Sequence, residues 1–168
     1  VPGHCPCRRI ALPSLRAMDA NIVINVGIFD PGTDILDPLH NTRAHLLLAD
    51  GVLTRRDRVE IDVVGASTVV PELVGAKQPD LLLLNDDDLT YCSLRLDPAS
   101  LQTVLTRIAD IAEPLPRTLA WSAAWEMTRE AELKARDFVA LVAAGVYAET
   151  EVGVAQRLLL QAQTALGS

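Results

Sequence analysis

The apolar residues of this chain follow two different periods. Up to about residue 97 they come in short, often alternating runs, and beyond it they recur every three or four positions. Alternation is typical of strands, and the longer period is typical of helices. The sequence therefore predicts an α+β chain in sequence order, with a β-sandwich domain over residues 21–97 and a helical domain over residues 98–168.

Short segments of the first half carry the strand prediction. In the cleanest one, Arg58, Glu60 and Asp62 fall on one face and Val59, Ile61 and Val63 on the other. β-Branched, apolar or alternating patterns predict further strands over residues 21–29, 67–70, 81–84 and 90–96. Asp50-Gly51 lies between apolar runs and favours a tight hairpin, because both turn positions take positive φ. Short strands with Gly and Pro turns are typical of a small antiparallel sandwich.

The second half predicts helices with short links. Asp97 is a good N-cap, and Pro98 suits the first helical position. The apolar face of this helix consists of Leu101, Val104, Leu105, Ile108 and Ile111. Pro114 and Pro116 interrupt it. The second and third helices are expected over about residues 117–128 and 135–147, and the fourth carries Val154, Leu158, Leu159, Ala162 and Leu166. Together they indicate αα-hairpins, which often stack as a solenoid.

The last predicted helix has an apolar face without an evident neighbour. A stacked repeat buries its faces only against both neighbours, and the sequence ends at Ser168. We therefore expect Leu159, Leu160 and Leu166 to be exposed and to favour self-association.

The first twenty residues differ from both halves. Residues 1–20 have no clear period and contain several prolines, so we expect a poorly ordered lead-in. The first residue is Val1 rather than Met, which indicates a fragment or a processed chain, and no secretion signal is evident.

The longest apolar runs of the sequence, such as residues 81–84, are too short to span a bilayer.

Composition and charge narrow the class of protein. The chain has 168 residues and 18.1 kDa, with 49% apolar and 22% charged residues, which excludes a disordered tail. Its net charge of −7 argues against a nucleic-acid partner, because nucleic-acid grooves need clustered positive charge. The 3 cysteines cannot form a closed disulfide framework, so we expect a cytoplasmic protein.

The candidate metal ligands are too few for a site. His4, Cys5 and Cys7 resemble half of a structural zinc site, which usually needs a second pair of ligands. That pair is missing, and His40 and His45 lack ligand spacing. We therefore expect no metal ligands in this chain.

Two charged clusters have a functional and a plain interpretation. The three aspartates at 86–88 suggest calcium, but calcium loops place oxygen ligands at alternating positions with a Gly and a distal Glu. A solvated hairpin turn fits better. The basic cluster at 55–58 is most simply a solvated strand face in so acidic a chain.

Two tryptophans lie one helical turn apart. Trp121 and Trp125 could form a ligand platform, but helical aromatic pairs more often pack in a core or between domains. Glu126 and Arg129 beside them are spaced to neutralise each other. No G-x-S-x-G elbow or Gly-rich phosphate loop occurs, so no catalytic or cofactor-binding residue is predicted.

Five strings stand out in the sequence, namely TVVPELVG at 68–75, PDLLLLNDDDLTY at 79–91, WSAAWEMTR at 121–129, ARDF at 135–138 and ETEVGV at 149–154. They resemble bacterial aminopeptidase N of the actinobacterial type, a family of gluzincin zinc metallopeptidases. The similarity covers about residues 43–166 and runs in order through both halves.

The resemblance implies a small β-sandwich followed by the first helices of a large helical domain. The family's zinc motif H-E-x-x-H and its substrate motif G-x-M-E-N do not occur in this sequence, so the chain alone should be inactive. The implied partners are an upstream peptidase domain and further helices, with peptides as the substrate of the parent protein. The implied function is a non-catalytic spacer with helices that cover the cleft. The alternative is a free-standing interaction module without enzymatic activity.

Overall fold

The computed structural model describes residues 9–10, 22–31, 52–63, 70, 73, 79–89 and 92–167. Its strands are β1 (Arg9–Ile10), β2 (Ile22–Pro31), β3 (Leu53–Val63), β4 (Leu81–Leu84) and β5 (Ser93–Leu94). Its helices are α1 (Pro98–Arg107), α2 (Pro114–Arg129), α3 (Ala135–Gly145) and α4 (Val152–Leu166). Short 3-10 turns, Ile108–Asp110 and Val146–Ala148, follow α1 and α3. The predicted order of strands before helices is confirmed.

The described strands form two groups. An antiparallel sheet has the order β3-β2-β4, and β1 pairs with β5 in parallel. The central position of β2 fits its β-branched composition, because its residues 26–29 have strand neighbours on both sides. The predicted hairpin around Asp50-Gly51 lies outside the described residues, as does most of the predicted strand at 67–70 and of the predicted lead-in at 1–20. The β-sandwich therefore stays a prediction.

The alternation predicted for the middle of β3 is confirmed. Ile61 is buried and Val59 is partly buried, whereas Arg58 and Glu60 are exposed. One face of this strand therefore packs against the protein and the other faces water, as a period of two requires.

Helix α1 covers the edge of the sheet at β4. The Leu82 backbone N–H donates to Ser100 Oγ at 2.9 Å, and Thr103 Oγ1 donates to the Asp80 carbonyl at 2.6 Å. An edge strand otherwise leaves such groups unpaired. Leu81 and Leu83 are fully buried in the same region.

The segment that joins α1 to α2 contacts the opposite edge. Ile111 forms a parallel bridge with Leu53 of β3, and the Ala112 N–H donates to the Leu53 carbonyl at 3.1 Å. Leu53 and Ile111 are both fully buried. Helical and strand segments therefore share one hydrophobic core.

The start of α1 follows the capping rules, and the predicted start of α2 needs a correction. Asp97 caps α1 by accepting from the N–H groups of Ala99 and Ser100, as predicted. The predicted start of the second helix at residue 117 is wrong, because α2 begins at Pro114. Proline is well tolerated in the first helical turn, where its missing N–H has no intrahelical partner anyway, so these prolines start α2.

Helices α2, α3 and α4 pack together, and α4 leaves part of its surface uncovered. The predicted exposure of its leucines is confirmed, at 51% for Leu159, 64% for Leu160 and 72% for Leu166. The solenoid arrangement stays a prediction. Within the described residues, no helix has the length and apolar character needed to cross a membrane.

Candidate functional site

A bulge in β3 brings two arginines to one face of the sheet. Phe29 pairs with Arg55 and Gly27 pairs with Arg58, and the register shift between them skips Arg56. In a regular strand, residues 55 and 58 would point to opposite faces, because their separation is odd. The extra residue of the bulge shifts the alternation by one position, so Arg55 and Arg58 lie on the same face of the sheet.

Both arginines bind the acidic turn that follows β4. Arg55 Nε donates to Asp86 Oδ2 at 2.6 Å, and Arg58 forms an ion pair with Asp87. Arg55 Nη1 also lies 2.9 Å from Glu113 Oε2, at the start of α2. The hydrogen bond to Asp86 raises the pKa of Arg55 above its ordinary value, against the opposing effect of partial burial. Arg55 therefore joins a strand, a turn and a helix start.

These contacts correct both plain interpretations of the charged clusters. The turn at 86–88 is not uniformly solvated, because Asp86 is fully buried, although Asp88 is exposed. The basic cluster is not simply a solvated face either, since the Arg55 side chain is only 25% exposed. The two clusters bind each other across 31 residues of sequence.

A second buried ion pair lies within the helices. Glu149 Oε1 accepts from Arg117 Nε at 2.8 Å and from the Trp121 indole N–H at 2.6 Å. Arg117 Nη1 donates to the Ile111 carbonyl at 2.7 Å. Both charged side chains are almost completely buried, at 6% and 0% exposure. This cluster fixes the start of α2 to the link between α3 and α4 and to the sheet edge at Ile111.

The predicted packing role of the tryptophans is confirmed. Trp121 is 1% exposed in the core, and the ring of Trp125 lies 5.1 Å from that of Phe138 at a tilted angle. The predicted pair of Glu126 and Arg129 is also present, with 2.9 Å between Oε1 and Nη1. An open cavity of about 320 Å³ borders Trp125. Its other lining residues are Thr128, Arg129, Ala135, Thr164 and Ala165.

Arg95 joins the short strand β5 to the loop after α2. Its Nε lies 2.8 Å from Glu132 Oε2, and Nη1 donates to the Leu94 carbonyl at 2.8 Å and to Ser93 Oγ at 2.7 Å. The Arg95 side chain is 5% exposed and that of Glu132 is 34% exposed, so this contact joins the interior to the surface. Like the other two clusters, it connects segments that are distant in sequence.

These clusters are suited to holding elements together rather than to acid–base chemistry. An arginine side chain stays protonated and so cannot exchange a proton with a substrate. Within the ranges that the structure describes, no group of three His, Cys, Asp or Glu side chains is placed to hold a metal ion. His4, Cys5, Cys7, His40 and His45 lie outside those ranges. The expectation that this chain contributes no metal ligand therefore stays a prediction.

Sequence reasoning missed the buried arginines. Arg95 and Arg117 lie in segments whose pattern gives no sign of burial, and their partners are distant in the chain. For Glu149 and Trp121 the sequence offered one indication of importance, because both residues belong to the strings that resemble the aminopeptidase family.

Comparison with known proteins supports that resemblance. A family model described as the ERAP1-like C-terminal domain matches residues 81–168, from β4 to the end of the sequence. Aminopeptidase N of Streptomyces lividans is 52% identical over 116 residues, which covers 69% of this chain and 14% of that protein. The chain thus matches only a small part of this relative's length. The predicted resemblance to bacterial aminopeptidase N is confirmed, and the chain belongs to the ERAP1-like C-terminal domain family.

Proposed function

We propose that this chain is the non-catalytic C-terminal portion of a zinc-dependent aminopeptidase, which releases N-terminal amino acids from peptides. The observation that carries the proposal is the 52% identity with Aminopeptidase N, together with the family match from β4 onward. In this proposal the strands are a rigid spacer, and the helices cover the cleft of an upstream peptidase domain in the cytoplasm.

The charge clusters support a spacer role. Arg55, Arg95 and Arg117 each tie together elements that are distant in sequence, and every one of these contacts includes a carboxylate. Breaking a buried ion pair is costly, so the fully buried Arg117–Glu149 pair in particular resists relative movement of the segments that it joins. A rigid connection of this kind is what a spacer between a catalytic domain and a covering domain requires.

The residues present do not fit a zinc-dependent hydrolytic centre. Catalytic zinc is held by protein ligands such as two His and a Glu, with an open position for water. The sequence contains no H-E-x-x-H motif, and the described carboxylates next to α2 are bound to arginines. The proposal therefore places zinc in the upstream peptidase domain.

The first experiment assays the purified chain with aminoacyl fluorogenic substrates and added zinc. We expect no turnover above that of a mock preparation from the same host. Turnover that copurifies with the chain through several columns would contradict the non-catalytic role.

A chimera tests whether the chain replaces part of the enzyme. The aligned segment of the Streptomyces lividans protein is exchanged for its counterpart here, and cleavage of a short fluorogenic substrate and of long peptides is compared. We expect an active chimera. Glu149→Ala should lower its thermal stability and yield, whereas the exposed control Glu151→Ala should not. A folded but inactive chimera would favour the free-standing interaction module instead.

A further inference from the structure

Helix α2 is anchored to the strands at both of its ends. Before its first residue, the Ala112 N–H donates to the Leu53 carbonyl of β3 at 3.1 Å. After its last residue, Arg95 Nε lies 2.8 Å from Glu132 Oε2, and Arg95 Nη2 lies 3.5 Å from Glu130 Oε1. The 16 residues of α2 rise about 24 Å between these anchors. Because two fixed points define the direction of a rod, the two anchors together set the direction of α2.

The anchor before α2 consists of several independent contacts. Leu53 and Ile111 form a backbone bridge and are fully buried. Arg117 Nη1 donates to the Ile111 carbonyl. Arg55 forms an ion pair with Glu113, the residue just before the helix. Loss of any one of these contacts leaves the others in place, so this end of α2 should act as a fixed point.

At the anchor after α2, two glutamates meet one arginine. Arg95 is 5% exposed, and its Nη1 donates to the Leu94 carbonyl and to Ser93 Oγ on the strand side. Nε and Nη2 of the same planar group lie next to Glu132 and Glu130. A guanidinium presents its donors in fixed directions, whereas apolar contacts are non-directional. Arg95 can therefore set the angle of α2, to which apolar packing contributes no fixed direction.

The backbone between the two glutamates is strained. Ala131 has a φ of 60°, in the left-handed region that alanine rarely adopts. Glycine is usual at this position past a helix end, where the Glu132 N–H donates to the Met127 carbonyl at 2.8 Å. Residues two apart on a helix do not face each other, but this turn brings Glu130 and Glu132 to the same guanidinium. Such strain persists only where the surrounding contacts determine the conformation, and it clusters at functional positions.

We propose that Arg95 is a positioning residue, which fixes the direction of α2, and of the helices packed on it, relative to the strands. Helices α3 and α4 both contact α2, so a tilt of α2 moves all three. A tilt of about 10° at the first anchor moves the far end of α2 by about 4 Å, given its rise of about 24 Å. The consequence for substrates rests on the proposed function. If the helices cover the cleft, a tilt changes the room for long peptides and leaves short substrates unaffected.

Pulsed electron paramagnetic resonance of the whole chain measures this tilt. Nitroxides are attached through a non-natural amino acid at three exposed positions, Glu60 on β3, Leu115 at the start of α2 and Arg136 beyond its end. We expect Arg95→Met to change the Glu60–Arg136 distance by about 4 Å, as a pivot about the first anchor requires, and to leave the Glu60–Leu115 distance unchanged.

Stability separates positioning from simple support. Methionine fills the buried site without a charge, and both glutamates are partly exposed to water, so the urea midpoint of Arg95→Met should stay close to that of wild type or rise. A changed distance at unchanged stability is a result that a merely supporting residue would not give.

Two further variants complete the test. The double variant Glu130→Gln with Glu132→Gln keeps both side-chain sizes and should change the Glu60–Arg136 distance in the same direction. Glu126→Gln is the matched control, because its partner Arg129 lies on the same helix, and it should alter neither distance. In the chimera, Arg95→Met should raise KM for long peptides by at least about threefold and leave kcat/KM for a short substrate unchanged.

Unchanged distances in both the Arg95 variant and the double glutamine variant would overturn the proposal. Equal changes in the two label pairs would also overturn it, because they indicate general loosening rather than a pivot. A changed distance with an unchanged KM for long peptides would refute the role in substrate positioning. An inactive chimera would contradict the proposed function instead, since the distances are measured on the chain alone and do not depend on that function.

Discussion

The indole N–H of Trp121 donates to Glu149 Oε1 over 2.6 Å, at the same oxygen that binds the Arg117 guanidinium. We expect Glu149→Ala to lower the free energy of unfolding by about 3–5 kcal/mol, because it leaves a buried arginine without its carboxylate. Urea unfolding followed by tryptophan fluorescence measures this change. A double variant, Arg117→Met with Glu149→Leu, should be more stable than Glu149→Ala, since it leaves no buried charge unpaired. Equal stabilities would contradict the assigned role of the ion pair.

The acidic turn after β4 offers a buried and an exposed aspartate for comparison. Asp86→Ala removes the main partner of Arg55 and should cost about 1.5–3 kcal/mol, the range for hydrogen bonds to charged groups. Asp88→Asn should change stability by less than about 0.5 kcal/mol, because Asp88 is exposed. Its φ of 54° also suits asparagine. The urea midpoints of the two variants measure the difference, and matching midpoints would refute the structural role of Asp86.

The raised pKa of Arg55 leads to a prediction for alkaline pH. A group whose pKa is higher in the folded state contributes stability that is complete below its unfolded pKa, which for an arginine such as Arg55 lies far above neutral pH. This contribution is lost only as the pH rises above that value, so it is constant across the neutral and moderately alkaline range. Lysine has an ordinary pKa of about 10.4, so Arg55→Lys should lose about 0.5–1 kcal/mol relative to wild type between about pH 8 and pH 11. Parallel stability curves over this range would disprove the ion-pair contribution.

Two helical glycines should respond oppositely to the same substitution. A Cβ at Gly145 would lie 2.5 Å from Ile108 Cγ2 and 3.1 Å from the Trp121 ring, whereas a Cβ at Gly153 meets nothing within 4 Å. Gly145→Ala should therefore destabilise the chain by about 1–3 kcal/mol through overpacking. Gly153→Ala should leave stability unchanged or raise it by up to about 1 kcal/mol, because alanine favours helix. Differential scanning calorimetry of both variants tests this, and a stabilised Gly145→Ala would show that α3 lies further from the turn after α1.

Local patterns predicted the elements better than their connections. The alternation around Ile61 and the cap at Asp97 depend on neighbouring residues, so the sequence was sufficient for them. The predicted start of α2 is too late, because proline breaks a helix interior but also suits a first turn, and the pattern alone does not distinguish the two positions.

The arginine clusters could not be predicted, because they depend on which distant segments meet. Arg55 and Asp86 are 31 residues apart, and their contact also needs the bulge at Arg56, for which the sequence gives no clear sign. Polar residues in alternating or turn segments are ordinarily solvated, so the burial of Asp86 went against the default expectation.

Side chains of α1 bind backbone groups at the β4 edge of the sheet. A shorter expressed chain that lacks α1 would therefore leave those groups without these partners. Ser100 binds the Leu82 N–H of β4 and Thr103 binds the Asp80 carbonyl just before this strand, so a chain cut after Asp97 would retain an edge that could recruit strands from other molecules. Limited proteolysis should accordingly spare the link between β5 and α1. For expression, the strands and α1 are best kept together, since separating them invites intermolecular β-pairing and insoluble protein.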